Sequence, residues 1–120
     1  TTLFRSASVL AEPLSEVLSA LVYLSAPSMA EAKRRFDEAA GIFPPFKGKL
    51  KLVAKERLGF DGLDRALDQL ARGSYGLRKQ ALRLCADVIR ADGKIDANEA
   101  ELFRAVAVSL DCPMPPVNAA

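Results

Sequence analysis

The sequence predicts an all-α protein, a compact bundle of about five to six helices. Two observations lead to this prediction. Leu and Ala supply most of the apolar residues, which make up 50% of the chain, whereas aromatic residues make up 7%, and both Leu and Ala favour helices over strands. Apolar residues also recur at spacings of three and four between capping residues and helix-terminating Gly or Pro. This is the pattern of amphipathic helices.

The first helix is predicted to begin near Glu12, to carry Pro13 in its first turn and to run to about Ser25, because proline is tolerated where its missing N–H would be unpaired anyway. Its apolar stripe consists of Leu14, Val17, Leu18, Leu21 and Leu24. Residues 1–11 are expected to add a turn or to be loose. The most apolar stretch, Val17–Leu24, is shorter than the roughly 20 residues that a membrane span needs, so no span is predicted.

The second helix is predicted from Ser28, which forms a capping box with Glu31. It runs to about Ala40. Gly41 is expected to end it in the left-handed conformation, and the proline pair that starts at Pro44 prevents its continuation.

Residues 46–57 alternate briefly in the manner of a strand, but no second strand is available for pairing, so we predict a basic loop that passes into a short helix. The cations of this basic run are Lys47, Lys49, Lys51, Lys55 and Arg57. A solvated face is the expected role. Anionic lipid headgroups could contact Lys47, Lys49 and Lys51, whereas nucleic acid is disfavoured because the run lacks interleaved aromatic residues.

Three more helices are predicted. The third begins with Asp61 as its cap and ends at Gly73. The fourth begins after Ser74 and runs to about residue 91. The fifth begins after Asp96 and runs to about Leu110. We expect the fourth helix to be central. Its inward face consists of Leu77, Ala81, Leu84, Cys85, Val88 and Ile89, and that of the fifth of Leu102, Phe103, Val106, Ala107 and Leu110. Residues 117–120 are expected to be loose.

Length, charge and residue types exclude several function classes. The 120 residues, with a net charge of +2, fit one domain at 1–120 that does not require nucleic acid or an acidic membrane as a partner. The chain has no histidine, which excludes Ser-His-Asp and Cys-His catalysis and any His-ligated catalytic zinc. Cys85 and Cys112 are not spaced as CxxC and are predicted to be reduced thiols. We therefore predict no catalytic residue and no cofactor for this chain.

An acidic corner, defined as residues 91–99, matches the later half of an EF-hand calcium loop. Its candidate ligands are Asp92, Asp96 and Glu99, but the first and third loop positions then fall on Val88 and Arg90, where calcium needs carboxylates. We prefer the interpretation that the acidic corner is a tight turn between two helices and not a metal site. Gly93 supplies a positive φ, Ile95 fills the core, and Asp96 with Glu99 caps the next helix.

Three stretches resemble known families. The run LCADVIRADGKID at 84–96, which continues through Glu99 and ELFR at 101–104, resembles the tellurite-resistance TerB-like helical domains. The stretch LDRALDQL at 63–70 and the ending LDCPMPP at 110–116 are similar to the C-terminal region of bacterial membrane zinc metallopeptidases of the HtpX-related class.

The resemblance, which covers roughly residues 60–116, implies a TerB-like fold and a fragment of a larger membrane peptidase. In that family the zinc-binding HExxH motif and the membrane helices lie upstream, so zinc is implied only for the parent protein. The chain is then expected to be a non-catalytic accessory domain, cytoplasmic, whose partner is another protein or its own upstream peptidase domain. The alternative is a metal-sensing regulatory domain that uses Asp92, Asp96 and Glu99. Nucleic-acid binding through the basic run ranks last.

Overall fold

The computed structural model describes residues 2–90, 93 and 95–111, and it confirms the all-α fold for this part of the chain, in which no strand occurs. Five α-helices and two 3₁₀ turns follow one another in the order α1 Thr2–Ser25, α2 Met29–Ala40, the turns Pro44–Phe46 and Lys55–Arg57, α3 Phe60–Ala71, α4 Tyr75–Ile89 and α5 Ala97–Ser109. Their buried apolar side chains form one core.

α1 is the central helix, because it contacts each of the other four. The prediction that the fourth helix is central was wrong. α1 also begins at Thr2 rather than near Glu12, so Pro13 lies inside the helix. An interior proline costs about 3 kcal/mol or more because it removes a backbone hydrogen bond. Leu10 and Leu14 are buried on either side of it, so core packing holds the helix together through the proline.

The predicted stripe of α1 is buried except at its end. Leu14, Val17, Leu18 and Leu21 are at most 3% exposed. Leu24 is 44% exposed, because the helix runs past the neighbours that cover its middle turns.

α2 begins as predicted, with the hydroxyl of Ser28 accepting a hydrogen bond from the N–H of Glu31 at 3.1 Å. The reciprocal bond of the predicted capping box is not formed, because Glu31 Oε1 accepts from Arg34 and Arg35 instead. Arg35 is buried, and its guanidinium donates both to Glu31 Oε1 at 3.2 Å and to the carbonyl of Ser25 at 3.3 Å. This cation ties α2 to the end of α1. Gly41 has a φ of −95°, so the helix ends in a right-handed turn and not in the left-handed conformation that we predicted.

α3 begins at Phe60, with Gly59 as its N-cap in extended conformation, two residues before the predicted cap Asp61. Asp61 therefore lies in the first turn and is not the cap. A carboxylate is favourable there because the N-terminal end of a helix carries partial positive charge. α4 begins as predicted after Ser74, whose hydroxyl accepts a hydrogen bond from the N–H of Leu77 at 3.2 Å.

Arg78 ties the start of α4 to the end of α5. Its Nη1 donates to the carbonyl of Leu110 at 2.7 Å, and its Nε donates to the carbonyl of Gly73 at 3.1 Å. Both carbonyls lie just past helix ends, where a cation satisfies acceptors that the helix leaves unpaired. The predicted inward faces of α4 and α5 are buried, apart from Leu102, which is half-buried.

Candidate binding groove

The extended segment 50–54 lies along α1 and is held there by side chains of the helix. Ser15 Oγ accepts a hydrogen bond from the N–H of Lys51 at 3.0 Å, and Ser19 Oγ accepts one from the N–H of Val53 at 2.9 Å. The Tyr23 hydroxyl donates to the carbonyl of Val53 at 2.6 Å. The segment therefore forms its backbone hydrogen bonds with side chains of a helix, whereas a strand in a sheet forms them with another strand.

The spacing of these bonds follows from backbone geometry. Four residues of an α-helix rise about 6.0 Å, and two residues of an extended chain rise about 6.6 Å. Hydroxyls four positions apart on α1 therefore meet backbone groups two positions apart on the segment. The short helix predicted within 46–57 is the 3₁₀ turn Lys55–Arg57, which follows this segment and leads towards α3.

A groove of about 580 Å³ lies between α1, the extended segment and α3. We call it the α1–α3 groove. It is lined by Glu12, Glu16, Lys51, Leu52, Val53, Ala54, Arg57, Gly62, Arg65, Ala66 and Gln69. Its volume falls within the range of about 300–1,000 Å³ that is typical of ligand sites.

Charged side chains of both signs line the α1–α3 groove. Glu12 and Glu16 lie one turn apart on α1, while Lys51, Arg57 and Arg65 approach from the segment, the 3₁₀ turn and α3. None of these five side chains forms an ion pair with another described residue. The groove therefore offers both carboxylates and cations to a bound molecule.

The backbone of Leu52 also opens towards solvent. Neighbouring residues of an extended chain direct their N–H and C=O groups to opposite sides. The N–H of Lys51 and both the N–H and the C=O of Val53 bind α1. Leu52 is half-buried, and its N–H and C=O form no hydrogen bond with any described residue. One donor and one acceptor beside the groove are thus available to a ligand.

Phe60 is a large apolar side chain at the same end of α3 as the groove residue Gly62. It is the first residue of the helix and is 90% exposed. Exposed aromatic side chains of this kind are common anchors at protein interfaces.

The structure separates the cations of the basic run. Lys51 and Arg57 line the α1–α3 groove. Lys49 Nζ donates to Ser8 Oγ at 2.7 Å, while Lys47 and Lys55 are exposed. The expectation of lipid contact through Lys47, Lys49 and Lys51 stays a prediction.

The acidic corner has the predicted architecture where the structure describes it. Asp96 Oδ1 accepts a hydrogen bond from the N–H of Glu99 at 2.8 Å and caps α5. Gly93 has a φ of +75°, and Ile95 is 4% exposed, as predicted. Asp92 lies outside the described residues.

Metal binding at the corner stays a prediction. Glu99 is buried, with 6% of its surface exposed, a burial that the sequence did not indicate. Within residues 2–90, 93 and 95–111, no three acidic, cysteine or histidine side chains cluster as metal ligands would.

Cys85 lies in the core with a fully buried thiol. Burial raises the pKa of this thiol to about 12, because a thiolate is poorly solvated there. The thiol is free, in agreement with the predicted packing role. Cys112 lies outside the described residues.

α1 also contains a stretch, Ser8–Ser25, that is long and apolar enough to cross a membrane. No other helix among the described residues has this length and composition. In this domain 56% of that stretch is buried, and the core helix of a globular protein has the same length and composition. The expectation that the chain has no membrane span stays a prediction.

Comparisons with protein-family models, with curated proteins and with solved structures find no match for this chain. The TerB-like and metallopeptidase resemblance therefore depends on the sequence stretches given above.

Proposed function

We propose that this domain is a non-catalytic interaction module that holds a segment of another protein in the α1–α3 groove. The observation that supports this function is the groove itself, in which five charged side chains that form no ion pair with any described residue stand beside the open backbone of Leu52. Groups of this kind provide specificity when a partner pairs with them. The exposed Phe60 adds an apolar contact near the same end of α3.

The chemistry of the chain supports a non-catalytic role. It has no histidine to act as a general base. The one described cysteine, Cys85, is buried with a pKa of about 12, and a nucleophile needs an accessible thiolate.

By its resemblance to HtpX-related proteins, the domain belongs to a membrane zinc metallopeptidase, and its partner is the peptidase domain or a protein delivered to it. The reading frame that encodes the chain tests this part of the proposal. We expect an HExxH motif and membrane-spanning segments upstream of residue 1. A reading frame without them would remove the peptidase from the proposal and leave the interaction module to be tested by binding.

The binding test blocks the groove. Ala54 is exposed and lines the groove, so Ala54→Trp should fill it. Ala105 is exposed on α5 outside the groove, which makes Ala105→Trp the matched control. Random twelve-residue peptides displayed on phage are selected on the wild-type domain and then assayed on both variants.

We expect the selected peptides to bind Ala105→Trp as they bind the wild type, and to lose binding to Ala54→Trp. Peptides that bind all three proteins equally would show that the groove is not the docking site. Circular dichroism of each variant establishes that its fold is intact.

A further inference from the structure

We propose that the α1–α3 groove recognises an extended peptide that carries a basic and an acidic side chain and that pairs with the backbone of Leu52. This inference rests on the proposed function, because it specifies the chemistry of the segment that the groove would hold. It follows from three features of the described residues: the shape of the groove wall, the open backbone groups and the presence of charged side chains of both signs.

The wall determines the conformation of the peptide. Along this side the groove is bounded by the extended segment 50–54, whose residues 51–54 line it. An extended peptide repeats every two residues, as this wall does. A helical peptide could meet this wall only through its side chains, as α1 does, whereas an extended peptide can also pair with the wall through its backbone groups.

Leu52 supplies the backbone contact. The N–H groups of Lys51 and Val53, on either side of Leu52, bind Ser15 and Ser19 on α1. The N–H and C=O of Leu52 therefore point to the opposite side of the segment, away from α1. One residue of an extended peptide can satisfy both groups at once, as in strand addition. The serine bonds hold the segment in place, so little ordering is needed when the peptide binds.

The two carboxylates determine where the basic side chain binds. Glu12 and Glu16 belong to α1, and Glu16 Oε2 lies close to the first turn of α3, 3.5 Å from where a side chain on Gly62 would begin. No described cation neutralises either glutamate. A lysine or arginine of the peptide would pair with them.

The cations determine where the acidic side chain binds. Arg57 follows the extended segment and Arg65 lies on α3, so both line the groove from walls other than α1. Arginine pairs well with carboxylates because its guanidinium presents two parallel N–H donors. A peptide with only one sign of charge would bring its charged groups close to like charges at one of the two positions.

The experiment repeats the phage selection on two charge-neutralised proteins. One carries Glu12→Gln with Glu16→Gln, and the other carries Lys51→Gln with Arg57→Gln and Arg65→Gln, so that all three groove cations are removed. On the wild type, we expect enriched sequences to contain both a basic and an acidic residue. The first variant should lose the preference for the basic residue and keep that for the acidic one, and the second should show the reverse. Arg83→Gln, at an exposed position outside the groove, is the control and should select the same sequences as the wild type.

Affinities of synthetic peptides make the test quantitative. Each charge-neutralised variant should bind the best selected peptide roughly two- to fivefold more weakly per ion pair removed. Methylating the peptide nitrogens one at a time should weaken binding about tenfold at the one position that donates to Leu52. A scan without such a position would overturn the strand pairing.

The outcomes separate the two proposals. Selected peptides that lose binding to Ala54→Trp but show the same sequence preferences on both charge variants would overturn the charge assignment and leave the docking groove intact. If no peptide is sensitive to Ala54→Trp, both proposals fail.

Discussion

Ser19 accepts a hydrogen bond from the N–H of Val53 at 2.9 Å, and the two residues lie 34 positions apart in the chain. Ser19 is completely buried. Its hydroxyl is the acceptor that the helix offers to the extended segment at this point, and the segment forms one wall of the α1–α3 groove. The groove therefore depends on buried polar side chains of α1.

Ser19→Ala should destabilise the domain by about 1–3 kcal/mol, because the N–H of Val53 loses its partner in a half-buried position. Urea unfolding followed by circular dichroism measures the loss. Ser109→Ala, at an exposed position of α5, is the matched control and should change stability by less than about 0.5 kcal/mol. Equal effects of the two substitutions would show that the bond to Val53 contributes nothing.

Tyr23 should make stability depend on pH in the alkaline range. Burial, and then the charge of Glu56, raises its pKa above the ordinary value of 10.0. The folded state thus prefers the protonated phenol. This contribution is complete below pH 10 and is lost as the pH rises through the higher pKa of the folded state. Above pH 10 the stability advantage of the wild type over Tyr23→Phe should shrink.

The measurement is urea unfolding of the wild type and Tyr23→Phe in buffers below and above pH 10. At the lower pH, Tyr23→Phe should cost about 0.5–1.5 kcal/mol through the lost bond to the carbonyl of Val53. A difference that stays constant, or grows, as the pH rises would contradict the raised pKa.

Most helices, and three of the four predicted N-caps, could be predicted because they depend on local sequence, whereas Asp61 is not the cap of α3. Ser28, Ser74 and Asp96 cap the helices that they were predicted to cap, since a cap needs only its own hydroxyl or carboxylate and an N–H three residues away. The buried face of α4 was also predictable from its spacing. The start of α1 was not, because Pro13 is tolerated through tertiary packing that spacing does not reveal.

The groove could not be predicted, because it depends on contacts between distant parts of the chain. Segment 50–54 was predicted to be a loop, since its partner for hydrogen bonding is a helix and not a second strand. One signal was present in the sequence. Ser15, Ser19 and Tyr23 recur every four residues along α1, and a polar stripe at that spacing needs partners once it is buried.

Gly73 should not tolerate a side chain. A Cβ there would lie 2.5 Å from Leu10 Cδ1 and 3.2 Å from the carbonyl oxygen of Leu70, so Gly73→Ala is expected to destabilise by about 1–3 kcal/mol through overpacking. Gly76 is the matched control, because a Cβ there would meet no atom within 4 Å. As Gly76 lies inside α4, Gly76→Ala should stabilise by about 0.5–1 kcal/mol. Denaturant midpoints that move in the same direction for both variants would refute the packing at Gly73.

Cys85 should be unreactive in the folded protein. With a pKa of about 12 the thiolate is scarce at pH 8, about one part in ten thousand, and the sulfur is buried. In the Cys112→Ser variant, where Cys85 is the one cysteine left, a disulfide reagent should modify Cys85 only as fast as the domain unfolds. The control carries Cys112→Ser, Cys85→Ser and Ser109→Cys, and its exposed cysteine at position 109 should react at once. Rapid modification of Cys85 without denaturant would contradict its place in the core.

Asp96 should stabilise the domain as a helix cap, with no contribution from calcium. Its Oδ1 accepts the N–H of Glu99 at 2.8 Å, so Asp96→Ala should cost about 0.5–2 kcal/mol whether or not calcium is present. Asn98→Ala, at an exposed position of the same turn, is the control and should cost less.

Millimolar calcium should leave the Tm of the wild type unchanged. A ligand that binds only the folded state stabilises it by RT ln(1 + [L]/Kd), and the corner lacks carboxylates at the two loop positions that fall on Val88 and Arg90. In addition, one oxygen of Asp96 is already committed to the cap. A Tm that rises by several degrees with calcium, and no longer does so in Glu99→Gln, would reject the architectural role and favour a metal-sensing domain. In that case the buried carboxylate of Glu99 would exchange its contacts in the core for a bound cation.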